Sequence, residues 1–328
     1  MSKVSLELGS GGRLMRDFIA GKIVPAFRDP LLGELADAAH LPGGIAFTTD
    51  SYVVDPLFFP GGDIGRLAVN GTVNDLVVAG AEPRFLSLAF ILEEGLETET
   101  LDRVIGSIRT AAKRAGVRIV TGDTKVVRRG QGDKIFVNTA GVGRTIARPR
   151  LDRVRRGDKL ILTGTLGDHS LAVMLARGDF GLSSNVRSDC APLLFLLPLW
   201  KAGARWMRDV TRGGLATVLS ELAERLPYPV LVEEDSIPLS RPVRAASELL
   251  GIDPLFMACE GKAVVVAPAK KADAFIRTMR RHPLGRRAAI IGEVQDRVGR
   301  PGELLLRTTA GGLRLLEPLT SELLPRIC

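Results

Sequence analysis

The chain has 328 residues, with 45 Lys+Arg against 37 Asp+Glu and a formal charge of +8. Its apolar content of 45% and charged content of 25% exclude disordered and fibrous classes, and 5% aromatic content leaves little for the stacking platforms of a single-strand nucleic-acid binder. Three widely separated cysteines, Cys190, Cys259 and Cys328, form no C-x-x-C pair, so neither a zinc site nor a disulfide framework is signalled and a reducing compartment is the simpler reading.

The length suits roughly two domains. Residues 1–9 lack a basic region followed by an apolar core, no apolar run nears the ~18 residues of a membrane span, and Cys328 stands outside any C-a-a-X box. A cytoplasmic protein without membrane association is expected. Ile45–Thr49 is a short β-rich run ending at Asp50. The spacing of Leu67, Val69, Val73, Leu76 and Val77 predicts a helix over Ile64–Val78, stopped at Gly80. Arg84–Leu92 reads as a strand, Glu97–Ala115 as an amphipathic helix ended by Gly116, and Val117–Thr121 and Ile135–Val142 as strands. Pro149 and the arginine-rich stretch to Gly157-Asp158 mark a boundary. Beyond it come a strand at Lys159–Thr163 and helices near Asp168–Arg177 and Gly213–Arg225. Strands at Ala263–Ala267 and Ile290–Val294 flank a helix near Lys270–Arg281. The expected fold is α+β in two domains, 1–150 and 151–317, followed by a mobile tail over 318–328. The basic balance is explained more simply by a solvated arginine surface than by an anionic partner, and no nucleic acid is expected.

Neither a G-x-x-x-x-G-K-[ST] loop nor a G-x-G-x-x-G set is present, and three scattered histidines make no zinc site. What stands out is a series of aspartates at strand ends or turns: Asp50, Asp75, Asp123 and Asp209. Mg²⁺ takes oxygen ligands and commonly bridges one or two carboxylates to substrate phosphates. Gly122 beside Asp123, and Gly213-Gly214 after Asp209, would let backbone N–H groups approach phosphate oxygens. Gly9-Ser10-Gly11-Gly12, ahead of a helical start, is a second possible cradle. Lys125 is placed to neutralise phosphate charge. Each aspartate alone is better read as a turn or cap residue; four together shift the balance to a metal–nucleotide site.

Those segments, with Asp55–Gly62, Gly71–Asp75, Gly122–Val127, Gly164–His169, Asp209–Gly214 and the terminal Pro325-Arg326-Ile327-Cys328, run in order from residue 8 to residue 328. Together they resemble the HypE family of hydrogenase maturation factors. The earlier motifs are shared across the aminoimidazole ribonucleotide synthetase-like ATP-binding superfamily, selenophosphate synthetase and thiamine-phosphate kinase included; the terminal Pro-Arg-Ile-Cys is the specific one. The resemblance implies that superfamily's fold, with an N-terminal β-rich domain that makes a homodimer through a β-barrel and a C-terminal α/β domain. It implies ATP and Mg²⁺ in the cleft between domains. It also implies a reaction: HypF carbamoylates the Cys328 thiol, ATP drives dehydration of the carboxamide to a thiocyanate, and a HypC–HypD scaffold receives the cyanide for the [NiFe] centre. The family often has His where this chain has Leu8. A small-molecule kinase or synthetase of the same superfamily is the alternative.

On that reading Asp50, Asp75, Asp123 and Asp209 hold the metal, and these with Gly9, Ser10, Gly11, Gly12 and Thr124 contact the nucleotide. Cys328, Lys125 and Glu260 are the catalytic candidates. Lys125 lies near the transferred phosphate, and Glu260, in Cys259-Glu260-Gly261-Lys262, matches the family pattern and serves as base. A solvated turn carboxylate explains Glu260 equally well. His169 is a weaker candidate and suits a structural hydrogen bond. Cys190 and Cys259 suit packing as small apolar groups.

Overall fold

A computed structural model of the chain describes residues 3–9, 11–178, 180–320 and 326–328. Short helical turns come first: α1 (Gly12–Phe18), α2 (Val24–Phe27) and α3 (Pro30–Gly33), the last capped by Asp29, whose carboxylate accepts from Leu31 N–H at 2.8 Å. There follow β1 (Ala39–Leu41), β2 (Ile45–Tyr52), the small hairpin of β3 (Phe58–Phe59) and β4 (Gly62–Asp63), and the long helix α4 (Ile64–Val78). Then β5 (Ala81–Glu93), α5 (Thr98–Ala115), β6 (Arg118–Val127) and β7 (Ile135–Thr145) complete the first unit.

The first sheet has the order β1-β2-β7-β5-β6, parallel only between β5 and β6. The apolar spacing of α4 is denser than one stripe, and the helix is buried on nearly every side, leaving Arg66 and Asp75 partly open. α5 is amphipathic, burying Val104, Ile108 and Ala112 and ending at Gly116 with φ of 68°. β6 differs from expectation. It does not stop at Thr121 but runs on through Gly122, Asp123 and Lys125 as an outer strand paired on one side, Asp123 standing opposite Ala89. Gly122 is explained by that pairing: a Cβ there would lie 2.0 Å from the Leu88 carbonyl oxygen, next to a register shift at Leu86/Ser87. The glycine makes room for a neighbouring strand, where the sequence suggested a phosphate turn.

The second unit runs β8 (Lys159–Leu162), α6 (Asp168–Arg177), α7 (Leu197–Lys201), β9 (Trp206–Asp209), α8 (Gly214–Glu224), β10 (Val230–Glu233), α9 (Arg241–Leu250), β11 (Ala263–Ala267), α10 (Ala272–Arg280), β12 (Ala289–Val294), β13 (Leu304–Arg307) and β14 (Leu313–Leu315). Its sheet order is β14-β13-β10-β12-β8-β11-β9, with β10–β13 the parallel pair. The fully buried Ala-Val-Val-Val-Ala of β11 sits between β8 and β9.

A continuous core joins the units. Val69, Val73 and Val77 of α4 pack in one cluster with Leu193, Leu196, Trp200 and Met207, and Trp200 Nε1 donates to the Val77 carbonyl at 2.8 Å. Asp50 and Asp75 of the first unit are thereby held against the strand ends of the second. Residues 321–325 of the expected tail lie outside the described residues. Residues 326–328 are docked: Asp55 N–H donates to the Arg326 carbonyl at 3.3 Å and Val53 N–H to the Cys328 main-chain oxygen at 3.1 Å, while the Ile327 side chain is buried in the joint core.

Candidate active site

Between β2, α4 and the C-terminal ends of β9 and the preceding loop of β11 lies a cavity of about 470 Å³. Asp50 reaches it from β2, Asp75 from the last turn of α4, Asp209 from the end of β9 and Glu260 from the loop ahead of β11. Cys328 lines the same cavity. Three of the four aspartates marked in the sequence, the expected base and the expected carrier thiol therefore converge, although they come from residues up to 278 positions apart in the chain.

Local chemistry explains how each is aimed. Gly213 (φ 74°) and Gly214 (φ 64°) turn the chain sharply after Asp209, and a Cβ on Gly214 would sit 2.5 Å from the Leu255 carbonyl oxygen. Thr48 Oγ1 donates to Asp75 at 2.9 Å. Asp50 accepts from the adjacent Ser51 N–H at 2.9 Å. Glu260 is only 3% exposed, which removes the reading of a solvated turn carboxylate, and its Oε1 has no hydrogen-bond partner among the described residues.

Crowded, buried carboxylates resist ionisation together. Burial, then Asp37 and Asp50, pushes Asp209 up to about 8, against the pull of Arg208. Burial and the charges of Asp209 and Asp50 raise Asp75 well above the usual carboxylate range. Burial also raises Asp50, opposed by Arg212. Glu260 rises well above its ordinary value through burial, Asp209 and Asp189. Such a set calls for a cation. Among the described residues no three acidic, His or Cys side chains already stand as a closed metal cage; an ion held by one or two carboxylates and completed by phosphate oxygens suits Mg²⁺.

Other expected residues lie elsewhere. Asp123, Thr124 and Lys125 are exposed on β6, at the opposite edge of the first sheet from the β1–β2 side. Lys125 Nζ pairs with Asp123 at 2.8 Å, with both side chains more than half exposed. Within one chain they do not join the cavity, because β6 continues as a strand where a turn was expected. Gly11 does approach the turn after Asp209, where an added Cβ would lie 3.0 Å from Arg212 Cβ, whereas Gly12 backs onto the Leu319 and Thr320 carbonyls. The cradle reading needs correcting, however, since the first N–H groups of α1 are already used, Arg13 donating to the Leu319 carbonyl at 3.0 Å and Leu14 to that of Thr320 at 3.1 Å. Gly9 ends a short 3₁₀ turn with nothing close to its Cα side, and Ser10 lies outside the described residues. His169 does not line the cavity; it is fully buried and bonded to Ser188 and to the Ile327 carbonyl. Cys190 and Cys259 are buried, and burial raises both thiols.

Several supporting residues were not marked in the sequence. Asn74 Nδ2 donates to the carbonyls of Ala191 (3.1 Å) and Glu260 (3.2 Å), and its Oδ1 accepts from Leu193 N–H at 2.8 Å. Asp189 accepts from Glu260 N–H at 3.0 Å and pairs with buried Lys262 at 2.9 Å. Arg208, on the cavity wall, is held between Asp37 at 3.0 Å and Glu221 at 2.6 Å. The sequence signals for Asn74 and Lys262 are their places in Gly71–Asp75 and in Cys259-Glu260-Gly261-Lys262, two segments that carry the family resemblance.

Comparison with known proteins places the whole chain in one family. Residues 35–145 match the family model of AIR synthase related protein, N-terminal domain, and residues 155–300 that of AIR synthase related protein, C-terminal domain. Carbamoyl dehydratase HypE of Rhodobacter capsulatus is 46% identical, with 99% of this chain and 98% of that protein covered. Carbamoyl dehydratase HypE of Escherichia coli K12 is 43% identical with both chains covered in full. A solved HypE in complex with ATP superposes with a TM-score of 0.83 at 46% identity, covering 99% of this chain and 100% of that one. HypE in a HypE–HypF complex gives 0.87 at 42% identity, covering 92% and 99%.

Proposed function

This chain belongs to the HypE family of carbamoyl dehydratases, and from that premise we propose that it converts an S-carboxamide on Cys328 into a thiocyanate in the cavity described, using ATP. The observation that carries the reading is that Cys328 and Glu260 meet in one cavity with Asp50, Asp75 and Asp209.

Hydroxide leaves a carboxamide poorly, so the carbamoyl oxygen must first become a phosphate ester. The γ-phosphoryl group of ATP transfers to that oxygen, ADP departs, and the C–O bond then breaks with phosphate leaving. The nitrogen gives up both protons as C≡N forms; S–C(=O)–NH₂ and ATP yield S–C≡N, ADP and phosphate. Phosphoryl transfer asks the protein for position and charge neutralisation. Asp50, Asp75 and Asp209 would hold Mg²⁺, which supplies neutralisation of the phosphate oxygens. Arg212, whose charge is felt at both Asp50 and Glu260, adds positive charge on the same wall. Glu260 takes a nitrogen proton: a carboxylate with a raised pKa is a stronger base once ionised. Asn74 and Asp189 hold its backbone from two sides.

The thiol must also travel. HypF, which a similar HypE binds in a solved complex, supplies the carbamoyl group, a HypC–HypD scaffold takes the cyanide, and residues 326–328 undock between these visits. All of this takes place in the cytoplasm. A homodimer completes the site. β6 exposes Ile119, Val120 and Val126 on an unpaired edge, a surface that a second copy covers. Asp123, Thr124 and Lys125 on that strand then face the other copy's cavity, which reconciles their exposure in one chain with their place in the motif.

Intact-mass analysis after incubation with carbamoyl phosphate, HypF and ATP tests the proposal. A carbamoyl adduct on Cys328 that then loses the mass of one water is expected, and none in Cys328→Ala. ATP turnover that depends on a free metabolite and ignores loss of the tail would instead establish the kinase or synthetase alternative.

A further inference from the structure

The docked tail is held through its main chain as well as through the side chains of Arg326 and Ile327. Arg177, at the last turn of α6, donates through Nε to the Asp55 carbonyl at 2.6 Å and through Nη2 to the Arg326 carbonyl. His169, at the start of the same helix, sits with Nε2 2.8 Å from the Ile327 carbonyl and Nδ1 2.8 Å from Ser188 Oγ. A carbonyl can only accept, so Nε2 carries the proton and Nδ1 accepts from the Ser188 hydroxyl, which itself accepts from Cys190 N–H at 3.1 Å. Phe59 packs edge-on against the imidazole at 5.4 Å. Opposite α6, residues 53–55 pair with the tail as a strand does.

We propose that His169 and Arg177 form a main-chain clamp that seats the carrier tail, reading the carbonyls of Arg326 and Ile327 and making no use of the Cys328 side chain. This rests on the function proposed above and adds two positioning residues to it. Such a clamp is blind to what the sulfur carries, so thiol, carboxamide and thiocyanate forms dock in the same register with the sulfur at the cavity. It is also built to release. Arg326 is held at φ of 56°, a left-handed conformation that costs free energy in a non-glycine residue. That conformation is maintained by its own bond from Nε to the Val53 carbonyl at 2.9 Å, its pairing with Asp133, and the Arg177 contact. Removing the clamp therefore shifts the tail outward without touching any group at the reacting atoms.

The test uses the full-length protein and three readouts: alkylation of Cys328 by iodoacetamide, carbamoyl transfer from HypF, and dehydration of the carbamoylated tail. Cys190 and Cys259 are buried and report nothing in the alkylation assay. In His169→Phe and Arg177→Met, alkylation is expected to quicken about tenfold and dehydration to slow by a similar factor, the loss of one hydrogen bond to a docked segment, while carbamoyl transfer holds or rises. His169→Gln, which can still donate to Ile327 and accept from Ser188, restores dehydration. Alkylation at the wild-type rate in both variants, or equal slowing of transfer and dehydration, overturns the clamp. Arg177 is only partly buried, so its variant remains decisive should the core His169→Phe fail to fold. Absence of dehydration in the wild type would count against the proposed function alone, since alkylation still reads the clamp.

Discussion

Asn74, in the last turns of α4, crosses the boundary between the two units and donates to the main-chain oxygen of Glu260 at 3.2 Å. The main chain of Glu260, the proposed base, is therefore held by a side chain one residue from Asp75, so that the two proposed roles, proton removal and metal holding, share a support. Asn74→Ala strands the Leu193 N–H and two carbonyls in a buried setting. A loss of about 2 kcal/mol in urea unfolding is expected, with dehydration slowed beyond what that loss of folded protein explains. Unchanged dehydration in fully folded Asn74→Ala would separate Asn74 from the base.

Glu260→Gln keeps the shape and removes the charge. Loss of a general base costs about 10²–10⁴ in rate, so carbamoylated Cys328 should accumulate in intact-mass spectra while ATP binding persists. Because the ionised carboxyl is unfavourable at this buried site, the melting temperature should hold or rise. A wild-type dehydration rate would remove Glu260 from the chemistry.

Asp189 and Lys262 form a buried ion pair at 2.9 Å, with both side chains under 10% exposed. Burial opposes both charges, yet each stabilises the other enough that Asp189 ends below and Lys262 above its ordinary value. Lys262→Met leaves Asp189 buried without its counter-charge, at a cost of about 3–5 kcal/mol in a chemical melt. Replacing both, with Asp189→Leu beside Lys262→Met, should recover part of that loss; additive losses would contradict the pairing.

Much of this was legible in residues and spacing. The α4 and α5 helices announce themselves through apolar period and the glycines after them, and Asp50, Asp75 and Asp209, which line one cavity, stand out in the sequence as residues of strand ends or turns. Two kinds of information were hidden. Gly122 reads as a turn glycine, yet its cause is the Leu88 carbonyl of a strand that pairs with it in space. Asn74, Lys262 and the His169–Ile327 contact depend on which distant segments meet, and no local pattern encodes that. Burial changed Glu260 most: nothing in Cys-Glu-Gly-Lys distinguishes a solvated carboxylate from one whose Oε1 lacks a partner.

The raised carboxylates give a pH dependence with a definite sign. In the metal-free folded protein Asp50, Asp75, Asp209 and Glu260 keep their protons to higher pH than in the unfolded chain. The folded state then binds more protons, so stability falls as pH rises. The contribution is fully present below a pH of about 4, the ordinary carboxylate value, and for Asp209 is lost as pH passes about 8. With chelator present, the melting temperature should drop between pH 6 and pH ~8.5, and Mg²⁺ with ATP should restore more at the higher pH, where fewer protons compete for the same oxygens. Equal gains at both would mean that these carboxylates do not hold the ion.

Lys125 offers the test of the dimer. It is exposed on the unpaired edge of β6, far from the cavity of its own chain. If it serves the other copy's cavity, Lys125→Ala and Cys328→Ala are each inactive as pure proteins but complement when mixed and allowed to exchange subunits. In the mixed dimer, the chain that keeps Cys328 is served by the partner that keeps Lys125, so one of its two sites works. Random exchange at equal amounts makes half the dimers mixed, which returns about a quarter of wild-type dehydration. A lysine acting within its own chain gives no recovery at all, because the chain with the thiol is the one that lacks the lysine. The outcomes differ in kind, and analytical ultracentrifugation of the same mixtures shows whether dimers were there to exchange.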